Sequence, residues 1–539
     1  MKIKLTKEED ELCTLLDECT THIKQTEGLE TECRIAGGWV RDKLLGMNSN
    51  DIDVALSNMM GVTFATFFVD YCSKVKGLKV SQIAKIESNP EQSKHLETAR
   101  ATVLGRELDF VNLRSEEYSQ DSRIPTRIEY GTPFQDAMRR DITINALFYN
   151  VHTKSVEDCT GKGLEDLKAG VIRTPMNALE TFRDDPLRVL RAIRFSARFG
   201  FQLSSQVEYA AKNKEIQQAL GAKISRERIG TEIDKMMRAW DPVRGLHRIE
   251  ELKLYSTVFQ IPEQAASTAN GQPGPINRAA ASASILNTLW RTDPPPTLKL
   301  SPVHPTLASH IRGKAEMGRL YLACALIPYH GLEYWDHKKK SRPLVDAVIR
   351  DGLKLGVQCH YLDGIPALFD AWDFVSPKVA ALAEGQSPDD RRIIGMFLRN
   401  KLVHNPPVIT WQLSLLFSLA QDIAASYWDP ESRYLNERVT QYNNLVTKIE
   451  ELGLDTLLSA RPLLNGKEIL AALELPPGPW VHAVQERVAE WRFEHPDGTK
   501  DECVAWLKAE HAAGNIEYVA AGKRPTEPES EPDAKKAKR

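Results

Sequence analysis

The chain has 539 residues, 42% of them hydrophobic and 27% charged, with a formal net charge of −3. That length supports several compact units, and the charge balance gives no global basic field to advertise a nucleic-acid partner. No apolar run approaches the roughly 20 residues needed to cross a bilayer, and the eight cysteines show no Cys-x-x-Cys spacing, which argues against a zinc site or disulfide framework and for a reducing compartment.

From the N-terminus, Thr6–Lys24 carries Leu12, Leu15, Leu16 and Ile23 at helical spacing and predicts an amphipathic helix. The first ten residues lack the hydrophobic core of a secretory signal and are too acidic for a mitochondrial presequence. The expected placement is therefore cytoplasmic and nuclear, a mitochondrial form requiring an alternative start. Next comes Arg34-Ile-Ala-Gly37-Gly38-Trp-Val-Arg41-Asp42, which reads as strand, Gly-Gly turn and short helix, and then Asp51-Ile52-Asp53-Val54, a second strand. A Gly-Gly turn has no side chains to keep a phosphate away from its N–H groups. Asp51 and Asp53 share one strand face because side chains alternate with period two, and a divalent metal would reconcile two such carboxylates. The Asp/Asn, Gly and Glu that complete a calcium loop do not follow.

Further strands are predicted at 78–86, 101–104, 108–113 and 146–149. The third of these carries Asp109, with Leu108 and Phe110 marking the opposite face as core. A polar, turn-rich run with Arg123 and Arg127 precedes Asp136-Ala-Met-Arg139-Arg140-Asp141, where paired arginines beside an aspartate suit phosphate oxygens and sugar hydroxyls. After about residue 175, strand signals give way to helical periodicity, so the fold class is α+β with an all-helical rear. In Asp184-Asp185-Pro186-Leu187-Arg188-Val-Leu-Arg191-Ala-Ile-Arg194, the acidic pair and Pro186 fit a helix N-terminus. Arg188, Arg191 and Arg194 then drift along one face opposite Val189, Leu190 and Ile193. An acceptor at Asp185 and a donor at Arg188 can imitate a Watson–Crick edge: the acceptor suits the exocyclic amino group that cytosine and adenine share. Ser225-Arg-Glu-Arg228 reads as a helix cap with a structural role. Residues 262–305 turn to Ala, Ser, Pro, Gly and Gln and read as a long loop or insertion. Helices are predicted around 344–353, 391–402, 411–419 and 439–452, and the basic end Lys535–Arg539 reads as a disordered tail with a candidate nuclear signal.

These motifs, in this order, resemble the DNA polymerase β-like nucleotidyltransferases, and among them the class II tRNA nucleotidyltransferases (CCA-adding enzymes) of the eukaryotic, fungal type. The resemblance implies a nucleotidyltransferase head (1–170) with a mixed sheet and a helical neck (171–250). A helical body (251–420), a tail (421–520) and a basic-ended extension (521–539) follow. It implies that Asp51, Asp53 and Asp109 are catalytic and hold two Mg²⁺. Gly37, Gly38, Arg41, Asp42, Arg139, Arg140, Asp141, Asp185, Arg188, Arg191 and Arg194 would bind the nucleotide. The run 158–166 resembles the family's hinge, and 461–467 with 478–480 its fungal tail. The implied partners are CTP, ATP and a tRNA lacking its CCA end, with no membrane, and the implied state is a monomer. Basic groups such as Lys338–Lys340, Arg391, Arg392, Arg399 and Lys401 are candidates for RNA phosphates. A poly(A) polymerase, a CC- or A-adding enzyme and a non-catalytic tRNA-binding protein stay open as alternatives.

Overall fold

A computed structural model describes residues 2–81, 83–86, 98–117, 127–291, 300–311, 313–425 and 433–516. Arg123, Pro294–Pro296 and the basic C-terminal end lie outside the described residues. By its internal contacts the chain divides into two compact units, Met1–Asn287 with Arg312–Pro366, and Thr288–Ile311 with Ala367–Arg539.

The first unit opens with α1 (Lys7–Glu27), started by a Thr6/Glu9 capping box and stopped by Gly28 in the left-handed region. Its apolar stripe, Leu12, Leu15, Leu16 and Ile23, is buried as the spacing predicts. Then follow β1 (Cys33–Ala36), α2 (Gly38–Leu44), β2 (Ile52–Leu56), α3 (Gly61–Asp70), β3 (Ala84–Ile86), β4 (Thr98–Val103) and β5 (Arg106–Asn112). After them come the hairpin strands β6 (Arg114–Glu117) and β7 (Arg127–Tyr130), α4 (Pro133–Met138), β8 (Leu147–Asn150) and β9 (Ser155–Asp158). One mixed sheet runs β3-β4-β5-β2-β1-β8-β9. Within it, among the described residues, only β2 and β5 pair in parallel. Phe64, Phe68 and Phe110 close one face, with ring centroids 5.5 and 5.7 Å apart across the α3–β5 contact. The strand predicted over 78–86 is shorter than expected, Ala84–Ile86, with Val80 forming a single bridge to Val103.

Helices then take over: α5 (Gly163–Ala169), α6 (Ala178–Asp184), α7 (Arg188–Phe199), α8 (Ser205–Ala211), α9 (Lys214–Lys223) and α10 (Arg226–Met237). Gly200, left-handed at φ 72°, ends α7. The helix start expected at Pro186 lies two residues later. Asp185 is extended, and its Oδ1 accepts the Leu187 N–H at 3.1 Å as the chain turns into α7. Ser225 stands at the N-cap of α10, but its side chain makes no capping hydrogen bond, so that expectation is corrected.

The expectation of a long loop at 262–305 is also corrected. Asn277–Trp290 is an α-helix in which Ala279, Ala280, Ala283, Ile285, Leu286 and Leu289 are buried. Alanine has the highest helix propensity, and an alanine-rich run needs no long side chains to bury a face closely. In the second unit, Trp411–Ala425 is a buried helix, and Arg433–Glu451 packs against Val379–Glu384. The helices Gly466–Leu473, Trp480–Glu494 and Lys500–Ala512 share a core of Leu464, Ile469, Val484, Val488, Trp491 and Leu507.

Candidate active site

Strand order converts separate motifs into one floor. The parallel β2–β5 register sets Asp53 directly beside Asp109, and the antiparallel β5–β4 register sets Asp109 beside Arg100. Asp51 is exposed and immediately precedes β2. Arg100 grips Asp109 bidentately, Nε to Oδ1 and Nη2 to Oδ2, both at 2.7 Å. Among the described residues no group of three or more His, Cys, Asp or Glu is poised around a metal position. A guanidinium holds both oxygens of Asp109, while Asp51 and Asp109 both act on the charge of Asp53.

The donor set nevertheless fits a hard divalent cation. Burial pushes the Asp53 carboxyl up to about 6, and Asp51 and Asp109 add to the rise against Arg140 and Arg100. A buried carboxylate flanked by two others gains from an oxygen-seeking ion. Arg100, 40% exposed against 19% for Asp109, then competes with that ion. We expect Arg100→Met to lower the Mn²⁺ concentration that half-saturates the chain about fivefold, the equivalent of removing ~1 kcal/mol of competition. Titration by electron paramagnetic resonance checks it, and an unchanged midpoint refutes it.

Above this floor lies a cavity of about 530 Å³. Its wall carries Gly37, Gly38, Arg41, Asp53, Arg139, Arg140, Asp141, Asp185, Arg188, Arg191 and Arg194. Asp51, Asp109 and Asp42 do not line it. Nine arginines and five carboxylates face the space, a surplus of four positive charges. That surplus suits a triphosphate.

Gly37 belongs there for two reasons. Its φ of 68° is left-handed, and a Cβ would stand 2.8 Å from Arg140 Nη1. Arg140 donates to the Asn145 carbonyl at 3.0 Å and to Asp136 Oδ2 at 2.8 and 3.0 Å. Arg139 Nε donates to Asp136 Oδ1 at 2.9 Å. Burial raises the Asp136 carboxyl, but Arg139 and Arg140 outweigh it and hold it down at about 2. Because the folded value lies below the ordinary 3.8, this stabilisation is present above pH 4 and is lost as pH falls through about 2. Asp136→Asn is expected to lower the melting temperature by about 5 °C at pH 7. The gap from the unsubstituted chain should close toward pH 2, as calorimetry across that range will read.

Asp42, expected at the nucleotide, is buried behind the cavity wall, where it accepts from Arg41 Nε at 2.8 Å and from Arg198 at 3.0 Å. Arg41 also donates to Asn145 and lies over the Phe195 and Phe199 rings at 5.2 and 4.8 Å. Asp141 is equally engaged: it accepts from Arg191 at 2.8 Å, from Asn145 at 3.0 Å and from the Ile142 N–H at 2.9 Å. Burial opposes its charge, but Arg191 prevails and holds it well below the carboxylate range. Arg194 turns to the buried Glu232 of α10.

Asp185 and Arg188 are not paired to each other through their side chains. Arg188 donates to the Arg139 carbonyl at 2.7 Å and the Thr181 carbonyl at 3.4 Å, while Asp185 Oδ2 accepts from Arg228 at 2.9 Å. Arg228 lines the cavity, and its Nη1 is buried without a hydrogen-bond partner. The sequence of its motif points only to a structural role. The available signal was Arg228 and Glu232 at i and i+4, two charges beside the apolar face of Ile229, Ile233 and Met236.

Comparison with known proteins gives two family matches, "Poly A polymerase head domain" over residues 33–173 and "Probable RNA and SrmB- binding site of polymerase A" over residues 200–267. The "CCA tRNA nucleotidyltransferase, mitochondrial" of Candida glabrata is 36% identical, covering 94% of this chain and 96% of its own length. The protein of the same name in Saccharomyces cerevisiae is 36% identical, covering 94% of each. A solved complex of a CCA-adding enzyme with ATP superposes with a TM-score of 0.60 at 19% identity, covering 97% of this chain and 100% of that one, which shows the shared fold. The expectation of cytoplasmic and nuclear placement is corrected by the two yeast relatives, both named mitochondrial. Import is read by receptors from short segments, so composition and net charge do not decide it.

Proposed function

The chain belongs to the CCA-adding tRNA nucleotidyltransferase family, and we propose that it adds C, C and A, without a template, to tRNA that lacks them, from CTP and ATP. The observation that carries this reading is the placement of Asp53 beside Asp109 under a cavity with a surplus of arginine. Enzymes of this family use a divalent metal, and we infer two Mg²⁺, held by Asp51, Asp53 and Asp109. When bound, such ions lower the pKa of an attacking hydroxyl and neutralise charge on the phosphates.

The remaining work falls to the protein. The arginine-rich wall, with Arg139 and Arg140 preset by Asp136, holds the triphosphate so that the tRNA 3′-hydroxyl meets the α-phosphate and pyrophosphate departs. The Gly37-Gly38 turn leaves room for that approach. Asp185 accepts from the amino group common to cytosine and adenine. Arg188 and the unpartnered Nη1 of Arg228 supply donors for ring nitrogen or carbonyl. Uracil and guanine lack the amino donor at the matching position, so buried polar groups would be left unpaired. We assign the catalytic head to 1–170, base selection to 171–250, and tRNA binding to the body (251–420) and tail (421–520).

The test is a tRNA transcript ending before CCA, incubated with Mg²⁺ and each labelled nucleoside triphosphate alone and together. Growth by three residues that needs CTP before ATP and then stops is the expected result. An open-ended A ladder assigns a poly(A) polymerase instead, and a stop after two C residues a partial enzyme.

A further inference from the structure

Almost every arginine around the cavity is tied to a carboxylate or carbonyl, but a run of three lysines in the same unit is not. The hairpin strands β10 (Glu333–Trp335) and β11 (Ser341–Pro343) pair antiparallel, with Trp335 opposite Ser341. The turn between them carries Lys338, Lys339 and Lys340, all exposed, while Arg342 on β11 pairs with Asp336 at 3.4 Å. Among the described residues, no carboxylate stands within ion-pair distance of the three lysines. Trp335 is 55% exposed beside them.

The turn is braced rather than loose. Asp336 Oδ1 accepts the N–H groups of Lys338 and Lys340 at 2.8 and 3.0 Å, and Lys339 takes a left-handed φ of 55°. Its base is anchored: the Thr268 hydroxyl bonds Trp335 N–H at 3.2 Å and the Trp335 carbonyl at 3.1 Å. Asn270 bonds Glu333 through main chain and side chain, both at 3.0 Å, and Tyr334 is buried. A fixed scaffold thus presents unneutralised ammonium groups and a bare indole face.

We propose that this hairpin is an RNA-contact element, in which Lys338–Lys340 take backbone phosphates and Trp335 stacks on an unpaired base. The inference rests on the tRNA reading above and goes beyond it by naming the surface. Phosphate charge and base stacking are the two chemistries that such a pairing of residues serves, and in a chain of net charge −3 the attraction must be local. An acidic protein partner would use the lysines but would leave the indole without its stacking role.

The experiment uses the full chain and a tRNA transcript ending before CCA, with binding measured across a salt series. The triple substitution Lys338→Ala, Lys339→Ala, Lys340→Ala is expected to weaken RNA binding about tenfold. It should also reduce the slope of log affinity against log salt by about two, because each lost phosphate contact removes somewhat under one unit. Trp335→Ala should weaken binding about fivefold with the slope unchanged. CTP binding without RNA stays as in the parent in both, because the hairpin does not line the nucleotide cavity. A triple variant with parental affinity and slope overturns the proposal, while parental CCA addition in the same preparation keeps the function reading intact. A parent chain that binds the RNA but adds nothing overturns the function reading instead, and the variants still decide the hairpin.

Discussion

Asp53→Asn is expected to reduce nucleotide incorporation by at least about 1000-fold, the equivalent of ~4 kcal/mol in the transition state. The substitution keeps the size and removes the charge at the one of the three carboxylates that lines the cavity. It should not harm the fold. Burial and the neighbouring Asp51 and Asp109 raise Asp53 from 3.8 to about 6. A raised folded value favours folding below pH 3.8, and that contribution is lost as pH rises through about 6. At pH 7.5 in chelator the ionised carboxylate is therefore a cost, and the asparagine variant should melt at or above the parent temperature. Loss of incorporation together with an unchanged or raised melting temperature and retained tRNA binding identifies a catalytic carboxylate. Incorporation within tenfold of the parent refutes that role.

Asp185→Ala is expected to lower the preference for CTP over UTP by about 10- to 100-fold, since a well-placed polar pair discriminates by ~1–3 kcal/mol. The effect should fall on selectivity more than on the rate with CTP, because the triphosphate is held elsewhere on the wall. Arg228→Met probes the same device from its other side. It removes the 2.9 Å partner of Asp185 and the unsatisfied Nη1 together, and should relax selectivity in the same direction. Competition between labelled CTP and UTP on one tRNA primer reads the ratio directly. An unchanged ratio in both variants would refute base reading by this pair and leave Asp185 as a brace for the turn into α7.

Much of the site could be read locally. Helical spacing separates Arg188, Arg191 and Arg194 from Val189, Leu190 and Ile193, and a Gly-Gly turn announces a close approach, while the alternation that pairs Asp51 with Asp53 stops short, since Asp51 precedes β2. Local pattern says less where partners come from far along the chain. The partner that Asp42 takes in Arg198 of α7 has no local signal. The alanine-rich segment looks like a linker until it proves to be the helix Asn277–Trp290. Ser225 has the spacing of a cap without the bond.

The sequence by itself determined the α+β head, the helical rear, the candidate residues in order and the family they resemble. Each of these follows from periodicity, turn chemistry and motif spacing, which act over a few residues. Only the tertiary structure decided which carboxylates are neighbours, that Arg100 holds Asp109, that Arg228 stands in the cavity wall, and that Lys338–Lys340 have no carboxylate partner among the described residues. Those facts depend on strand order and register and on helix packing. They are set by burial and charge pairing between segments far apart in the chain, about which no local pattern carries information.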